Sequence, residues 1–151
     1  MFVKLDYHSW NISGGNQRTG GEKMSTATIL VVDDMDMICK LLKMVLEKAG
    51  YKVITAENGE EGWELARATH PDVVLLDVVM PDVSGLTVCR LLKSDPKTKD
   101  IEVVLMTGSN LSEAQAKKVG ARMLLRKPFS IKTLLECVSS LTAKKCLMPA
   151  Q

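Results

Sequence analysis

The stretch DVVLLDVVMPDVSG, Asp72 to Gly85, decides how this chain folds. Its central part, Val73 to Met80, is apolar except for one carboxylate, Asp77. A short valine-rich run that ends in a loop containing proline and glycine is typical of a buried strand in a parallel sheet. We therefore interpret Asp77 as the residue at which the strand leaves the sheet, and not as a charge buried in the core.

The same unit repeats from Thr26 onward, because short β-branched runs alternate with amphipathic segments. The pattern predicts strands at 29–32, 52–56, 73–76, 103–106 and 123–125, and helices near 35–49, 59–68, 85–93, 112–119 and 131–141. Gly or Pro follows each of the first four helices, and Ser130 is the expected N-cap of the last one. This alternation indicates an α/β fold with a doubly wound, five-stranded parallel sheet and five helices in a single domain.

We expect that domain to occupy residues 25–143, between a flexible N-terminal tail at 1–24 and a C-terminal tail at 144–151. The N-terminal tail is rich in Gly, Asn and Ser, yet it holds three of the six aromatic residues of the chain. Either it docks elsewhere or it is an upstream extension. The segment Gly20 to Lys23 can be encoded by purine-rich codons like those of a ribosome-binding site, and on that hypothesis translation starts at Met24.

Composition excludes several functional classes. The net charge of +2 is too small to indicate nucleic acid as the main partner. No apolar run approaches the roughly 20 residues of a membrane span, and the N-terminus lacks the apolar stretch of a signal peptide. We therefore expect a cytoplasmic protein without membrane or direct nucleic-acid contacts. The cysteines are far apart and show no metal-ligand spacing, which favours reduced thiols (Cys39, Cys89, Cys137 and Cys146).

Polar residues follow four of the five predicted strands. The first strand runs into Asp33 and Asp34, the third into Asp77, the fourth into Thr107 and the fifth into Lys127. In a doubly wound sheet, sites form at the carboxyl ends of the strands. These five side chains are therefore expected to converge at one edge of the sheet.

Three carboxylates at one edge repel each other, at about 4 kcal/mol for each pair about 4 Å apart in an effective dielectric near 20. Such a cluster calls for a cation, and oxygen ligands without His or Cys favour Mg²⁺, with Mn²⁺ as the alternative. A cation, a lysine and a hydroxyl around a carboxylate nucleophile suit a phosphoryl group. Each residue also fits a simpler role as a helix cap, a strand end or a solvated side chain, so the hypothesis depends on their combination.

With these motifs, the sequence resembles the receiver domains of two-component response regulators. The resemblance covers roughly Thr26 to Ala143 and rests on ILVVDD at 29–34, VVLLDVVMPDVSG at 73–85, VVLMTG at 103–108 and VGARMLLRKPF at 119–129. It implies a flavodoxin-like sheet with strand order 2-1-3-4-5.

The resemblance also implies a role for each matched residue. Asp77 resembles the phosphoacceptor, and it would share Mg²⁺ with Asp34 directly, with Asp33 partly through water, and with the backbone carbonyl of Val79. Thr107 resembles the switch hydroxyl that moves toward the phosphoryl group. Lys127 resembles the lysine that pairs with that group, and its bond to Pro128 is expected to be cis.

Two positions depart from the family pattern. Receivers often have Tyr or Phe at the position of Leu124, and inward rotation of that ring accompanies activation, so the usual readout is in doubt here. Val79, two residues after the acceptor, lacks a polar group that could orient an attacking water. We therefore expect a comparatively long-lived phosphoryl group.

By the same resemblance, the phosphoryl donor is a sensor histidine kinase or a histidine phosphotransfer protein. Only ten residues follow Leu141, too few for an output module, so we expect a stand-alone receiver that signals by protein binding, as a monomer or a phosphorylation-dependent dimer. The last two helices carry a basic excess that is either a solvated face or the surface for an acidic partner (Lys117, Lys118, Arg122, Arg126, Lys132, Lys144 and Lys145).

Alternatives remain open from the sequence. The chain could be a non-phosphorylated scaffold of the same fold, or a fragment of a larger regulator or hybrid kinase. A metal-dependent phosphohydrolase with an aspartyl nucleophile is the enzyme alternative. Those enzymes commonly have a second aspartate at the position of Val79, so we expect a switch protein and not a turnover enzyme.

Overall fold

The computed structural model describes residues 26–147, so the predicted N-terminal tail lies outside it; for 144–147 it describes the backbone alone. Five strands and five helices alternate: β1 (Thr28–Val32), α1 (Asp36–Lys48), β2 (Lys52–Ala56), α2 (Gly59–Thr69), β3 (Val73–Asp77), α3 (Gly85–Ser94), β4 (Glu102–Thr107), α4 (Glu113–Lys118), β5 (Met123–Arg126) and α5 (Ile131–Leu147). The predicted number, type and order of elements are confirmed. In the described residues, no helix has the length and apolar content that a membrane span requires.

The strands form one parallel sheet in the order β2-β1-β3-β4-β5, which confirms the expected flavodoxin-like topology. The chain reverses its direction of winding between β1 and β3, and ligand sites of doubly wound sheets lie at such a reversal. Val32 of β1 pairs with Leu76 of β3, so the loops that leave these two strands start side by side.

The apolar run in β3 is explained by burial on both faces of the sheet, since all five of its residues are buried. Val74 and Leu76 point to a core cluster covered by α2, α3 and α4. Val73 and Leu75 point to the opposite cluster, which α1 and α5 cover. A strand enclosed in this way has no solvent face, so its sequence does not alternate between polar and apolar residues.

Three free cysteines of the described residues lie in these clusters: Cys39 in α1, Cys89 in α3 and Cys137 in α5. Burial raises the pKa of each thiol to about 11. They pack as small apolar side chains, which is consistent with reduced thiols. The side chain of Cys146 lies outside the described part.

The helix ends differ from the predictions at two places. Helix α5 continues to Leu147, six residues past the predicted end, because no Gly or Pro interrupts it before Pro149. Residues 144–147 of the predicted C-terminal tail are therefore helical. Helix α4 is shorter than predicted: Ser112 is its N-cap, and the chain turns at Gly120 with a φ of 93°. Ser130 accepts a hydrogen bond from the amide of Thr133, as expected of an N-cap.

Gly85 opens α3 directly against the end of β3, and this contact generates a test of the packing. A Cβ on Gly85 would lie 2.2 Å from the carbonyl oxygen of Asp77, a backbone atom that cannot rotate away. We expect Gly85→Ala to lower the free energy of unfolding by about 1–3 kcal/mol, the usual cost of overpacking. Urea denaturation followed by circular dichroism measures the loss.

Gly108→Ala is the matched control, because the nearest atom to its new Cβ would be Lys127 Cβ at 3.9 Å. It should change the free energy of unfolding by no more than about 0.5 kcal/mol. Equal losses in the two variants would contradict the proposed clash.

Candidate functional site

Strand register brings three acidic residues together. Asp33 follows β1 directly, Asp34 is next, and Asp77 is the final residue of β3. Ligand oxygens of the three carboxylates lie within 4.8 Å of one another. Asp33 and Asp77 are buried, with exposed fractions of 0% and 5%, whereas Asp34 is exposed. The cluster therefore has two buried carboxylates and one that is exposed to solvent.

The burial of Asp77 differs from the sequence interpretation, which placed this side chain outside the core. Asp77 still belongs to β3, where it pairs with Met106, and the amide of Val78 extends the ladder by donating to the Met106 carbonyl at 2.9 Å. Burial raises the pKa of Asp77, and the charges of Asp33 and Asp34 act in the same direction, while the ammonium of Lys127 opposes them.

Lys127 is the cation that compensates the two buried carboxylates. Its Nζ donates to Oδ1 of Asp77 at 3.0 Å and to Oδ2 of Asp33 at 3.2 Å. Burial alone would lower the pKa of Lys127, but the hydrogen bond to Asp77 and the charge of Asp33 outweigh it and raise the pKa. The side chain therefore stays an ammonium.

The backbone fixes the position of this lysine. The amide of Lys127 donates to the carbonyl oxygen of Thr107 at 2.8 Å, which continues the pairing of β4 with β5. The peptide bond between Lys127 and Pro128 is cis, as the resemblance implied.

Thr107 is the last residue of β4 and is only 1% exposed. Its hydroxyl lies 2.8 Å from the hydroxyl of Ser109 and accepts a hydrogen bond from the Ser109 amide at 3.0 Å. Sequence reasoning missed Ser109, and the available signal was Thr107 itself, because a threonine hydroxyl can accept from the backbone amide two residues on. A cavity of about 530 Å³ opens beside this turn and is lined by Thr107, Gly108, Ser109, Asn110, Leu111, Ser112, Arg126 and Lys127.

The two positions that depart from the family pattern lie in different surroundings. Val79 is in the loop directly after Asp77 and is 67% exposed, and its side chain carries only methyl groups. Leu124 pairs with Leu105 in the sheet and packs, partly buried, against the cluster under α2, α3 and α4. An aliphatic side chain thus occupies the position at which receiver domains often have Tyr or Phe.

The donor set fits a hard divalent cation. All three clustered side chains offer oxygen, which Mg²⁺ and Mn²⁺ prefer. Three carboxylates and one ammonium leave two negative charges if all are ionised. Asp33, Asp34 and Asp77 would hold the ion, and exposed Asp34 gives it access from water.

An exposed apolar stripe lies on α1, the helix that begins two residues after Asp34, and it was not foreseen. Met37, Leu41 and Met44 recur at helical spacing, with exposed fractions of 76%, 47% and 55%. Met35, at the start of the helix, is 55% exposed, and its amide donates to Oδ1 of Asp33 at 3.0 Å. Exposed apolar patches of this kind commonly mark interaction surfaces.

Comparisons with known proteins agree with this geometry. The sequence model of the response regulator receiver domain matches residues 29–139, inside the predicted domain. The chain is 40% identical over 119 residues to Protein PilH of Pseudomonas aeruginosa, covering 78% of this chain and 98% of that protein. It is 32% identical over 117 residues to the polar-differentiation response regulator DivK of Brucella ovis, covering 76% and 95%.

Solved structures show the same likeness. The chemotaxis protein CheY4 of Vibrio cholerae has a TM-score of 0.73 and 31% identity, covering 78% of this chain and 99% of that chain. A CheY-like receiver domain protein of Methanospirillum hungatei has a TM-score of 0.74 and 26% identity, covering 80% and 98%. The family match, the relatives and the sheet order lead to one conclusion: the chain belongs to the response regulator receiver domain family of two-component signalling.

Proposed function

We propose that the protein is a cytoplasmic phosphoryl-accepting switch, in which Asp77 takes a phosphoryl group from phosphohistidine on a sensor kinase or a phosphotransfer protein. One observation carries this proposal. The buried Asp77 carboxylate contacts the Lys127 ammonium at 3.0 Å and lies within 4.8 Å of two further carboxylates that suit a divalent cation.

The chemistry is an in-line transfer. A carboxylate oxygen of Asp77 attacks phosphorus, the new O–P bond forms, and the P–N bond to the donor imidazole breaks. Lys127 helps to keep the buried nucleophile ionised, against the effect of burial on the pKa of Asp77. Its ammonium also neutralises charge that builds up on the phosphoryl oxygens. Bound Mg²⁺ would supply further charge neutralisation.

Thr107 provides the switch. Before phosphorylation its hydroxyl is engaged by Ser109. To reach a phosphoryl group it has to give up those bonds, so the modification selects between two arrangements of the turn after β4. Moving such an equilibrium from 1:99 to 99:1 needs about 5.5 kcal/mol of differential stabilisation. Because Leu124 has no ring to rotate, we infer that the rearranged turn itself carries the signal.

The surface around Asp77 supports a protein as donor. The stripe of Met37, Leu41 and Met44 starts three residues after Asp34 and offers apolar side chains to a partner. A small phosphodonor has no use for this surface, whereas a histidine-bearing protein that reaches Asp77 would cover it. We therefore propose the stripe as the docking surface of the donor.

The output is proposed to be protein binding through the basic face of α4, β5 and α5. Local partners already contact part of that face: Arg122 lies 3.5 Å from Glu102, and Lys132 lies 3.9 Å from Glu136. Arg126 lines the cavity beside Thr107, so it is the basic residue best placed to sense the switch. In PilH and DivK the matched region is nearly the whole protein, which supports an output through protein contacts.

Phosphorylation of the intact protein is the primary test. Incubation with Mg²⁺ and acetyl phosphate should add the mass of one phosphoryl group, seen by intact mass spectrometry. The gain should be absent in Asp77→Ala and after chelation of Mg²⁺. Asp36→Ala is the control, because Asp36 is an exposed aspartate close to the site in sequence. A wild type without any gain, or a gain that persists in Asp77→Ala, would refute the proposal and favour a scaffold.

The lifetime of the phosphoryl group tests the role of Val79. An asparagine at this exposed position could orient a water for attack on the acyl phosphate, which valine cannot. We expect Val79→Asn to lose the phosphoryl group at least several-fold faster than the wild type. The decay of the phosphorylated mass after removal of donor measures both rates. A slower Val79→Asn would show that Val79 does not protect the product.

The donor surface is tested by comparing two donors. Met37→Glu puts a charge on the stripe, so we expect phosphotransfer from a phosphorylated histidine phosphotransfer domain to slow at least tenfold. Phosphorylation by acetyl phosphate should keep its rate. Leu91→Glu is the matched control, since Leu91 is also exposed (46%) but lies on α3, on the other face of the sheet. Equal slowing in both variants would argue against the stripe as the docking surface.

A further inference from the structure

The loop between β3 and α3 is tied to a helix that is not its neighbour in sequence. Asp82 lies in this loop, and its two carboxylate oxygens accept hydrogen bonds from the first two amides of α2. Oδ1 accepts from Gly59 and Oδ2 from Glu60, both at 3.1 Å. The two bonded pairs are separated by 23 and 22 positions in the sequence.

Asp82 completes the capping of α2. The side chain of Asn58 accepts only from the amide of Glu61, at 2.8 Å, and the carbonyl of Asn58 accepts from Gly62. The first turn of a helix leaves its amides without partners inside the helix, and here the amides of Gly59 and Glu60 are served from the other loop. Burial would raise the pKa of Asp82, but bonds from the amides of Gly59 and Glu60 hold it below its ordinary value.

Close packing reinforces the tie. A Cβ on Gly59 would lie 2.3 Å from Cγ1 of Val83 and 3.1 Å from Cγ2 of Val88. Only a residue without a side chain lets the loop approach α2 this closely. The loop is therefore attached to α2 by two hydrogen bonds and by van der Waals contact.

The other end of the same loop is fixed at the phosphoacceptor. The amide of Gly85 donates to the carbonyl of Val78 at 2.8 Å, and Gly85 packs against the backbone of Asp77. Met80 is buried, with an exposed fraction of 8%. Val79, whose carbonyl is the expected backbone ligand of the metal, thus lies between residues whose positions are fixed. Among the described residues of this loop, only Asp82 binds another element through two side-chain hydrogen bonds, and that element is α2.

We propose that Asp82 is a positioning residue for the metal site: it holds the loop against α2, and so keeps Val79 and Asp77 placed to bind a divalent cation together. This inference rests on the proposed function, because it assumes that the acidic cluster binds such a cation. It adds a residue that does not contact the ion and acts through the loop. By linkage, occupancy of the site also tightens the attachment of the loop to α2.

Binding of Mn²⁺ to the whole 151-residue chain, followed by the electron paramagnetic resonance signal of the free ion, tests the inference. We expect Asp82→Ala to raise the Kd for Mn²⁺ about tenfold, the scale of losses when a residue that supports metal ligands is removed. Asp82→Asn keeps one acceptor oxygen, so its Kd should fall between those of the wild type and Asp82→Ala. It also serves as the test variant if Asp82→Ala does not fold.

Two controls separate positioning from other effects. Asn58→Ala removes a cap from the same helix end without touching the loop, so it should lower stability and leave the Kd within twofold of the wild type. Glu60→Gln removes one negative charge at the same place, and it should likewise leave the Kd within twofold.

Each result decides the matter. An unchanged Kd in Asp82→Ala would overturn the role of Asp82 while leaving the proposed function intact. Equal weakening in Asn58→Ala or Glu60→Gln would assign the effect to the helix end or to charge, and would also overturn it. A wild type that binds no Mn²⁺ would overturn both the inference and the metal-dependent function on which it rests.

Discussion

The double contact of Lys127 with Asp33 and Asp77 is the interaction on which the site depends. Two carboxylates that are almost fully buried share one ammonium, at 3.2 and 3.0 Å. Buried charges are costly unless they are paired, and here the pairing is incomplete because acid outnumbers base. The protein therefore maintains a local excess of negative charge, which a divalent cation could neutralise. A site of this kind trades stability for reactivity.

The fold converts this electrostatic constraint into a position. Parallel strands send their carboxyl ends to one edge, and the reversal of winding between β1 and β3 places Asp33 and Asp77 side by side. The cation, Lys127, follows β5 at the end of the sheet, and β5 joins β3 only through β4, so four strands have to pair in register before the site exists. The clash that a side chain at Gly85 would make with the backbone of Asp77 shows how tightly the packing holds Asp77.

The sequence was sufficient for the architecture and for the grouping of Asp33, Asp34, Asp77 and Lys127, which the structure brings together. Short β-branched runs, separated by amphipathic segments that end at Gly or Pro, predict five strands. The polar residues after four of these strands predict that five side chains lie close together (Asp33, Asp34, Asp77, Thr107 and Lys127). The burial of Asp77 could not be predicted in this way. Residue type marks the end of an apolar run, but whether the next side chain is covered depends on the loops and the neighbouring strand. The continuation of α5 was missed because its apolar spacing weakens after Leu141 while no residue stops the helix.

Contacts between elements were the least predictable. Asp82 looks like an ordinary turn residue in sequence, and only the fold shows that its carboxylate serves the amides of Gly59 and Glu60. The exposed apolar side chains of α1 were missed for a different reason, because residue type alone predicts that they are buried. Met37, Leu41 and Met44 look like core residues by type, but the sheet already takes Cys39, Leu42 and Leu46 from the other side of that helix.

The buried thiols have a practical consequence for studying motion. A thiol with a pKa near 11 is almost entirely uncharged at neutral pH, and alkylating reagents attack the thiolate. Cys39, Cys89 and Cys137 should therefore react only when the helix above each one opens, so labelling rates would report the opening of α1, α3 and α5 separately. The native chain thus carries a reporter on each face of its sheet, without any engineered label.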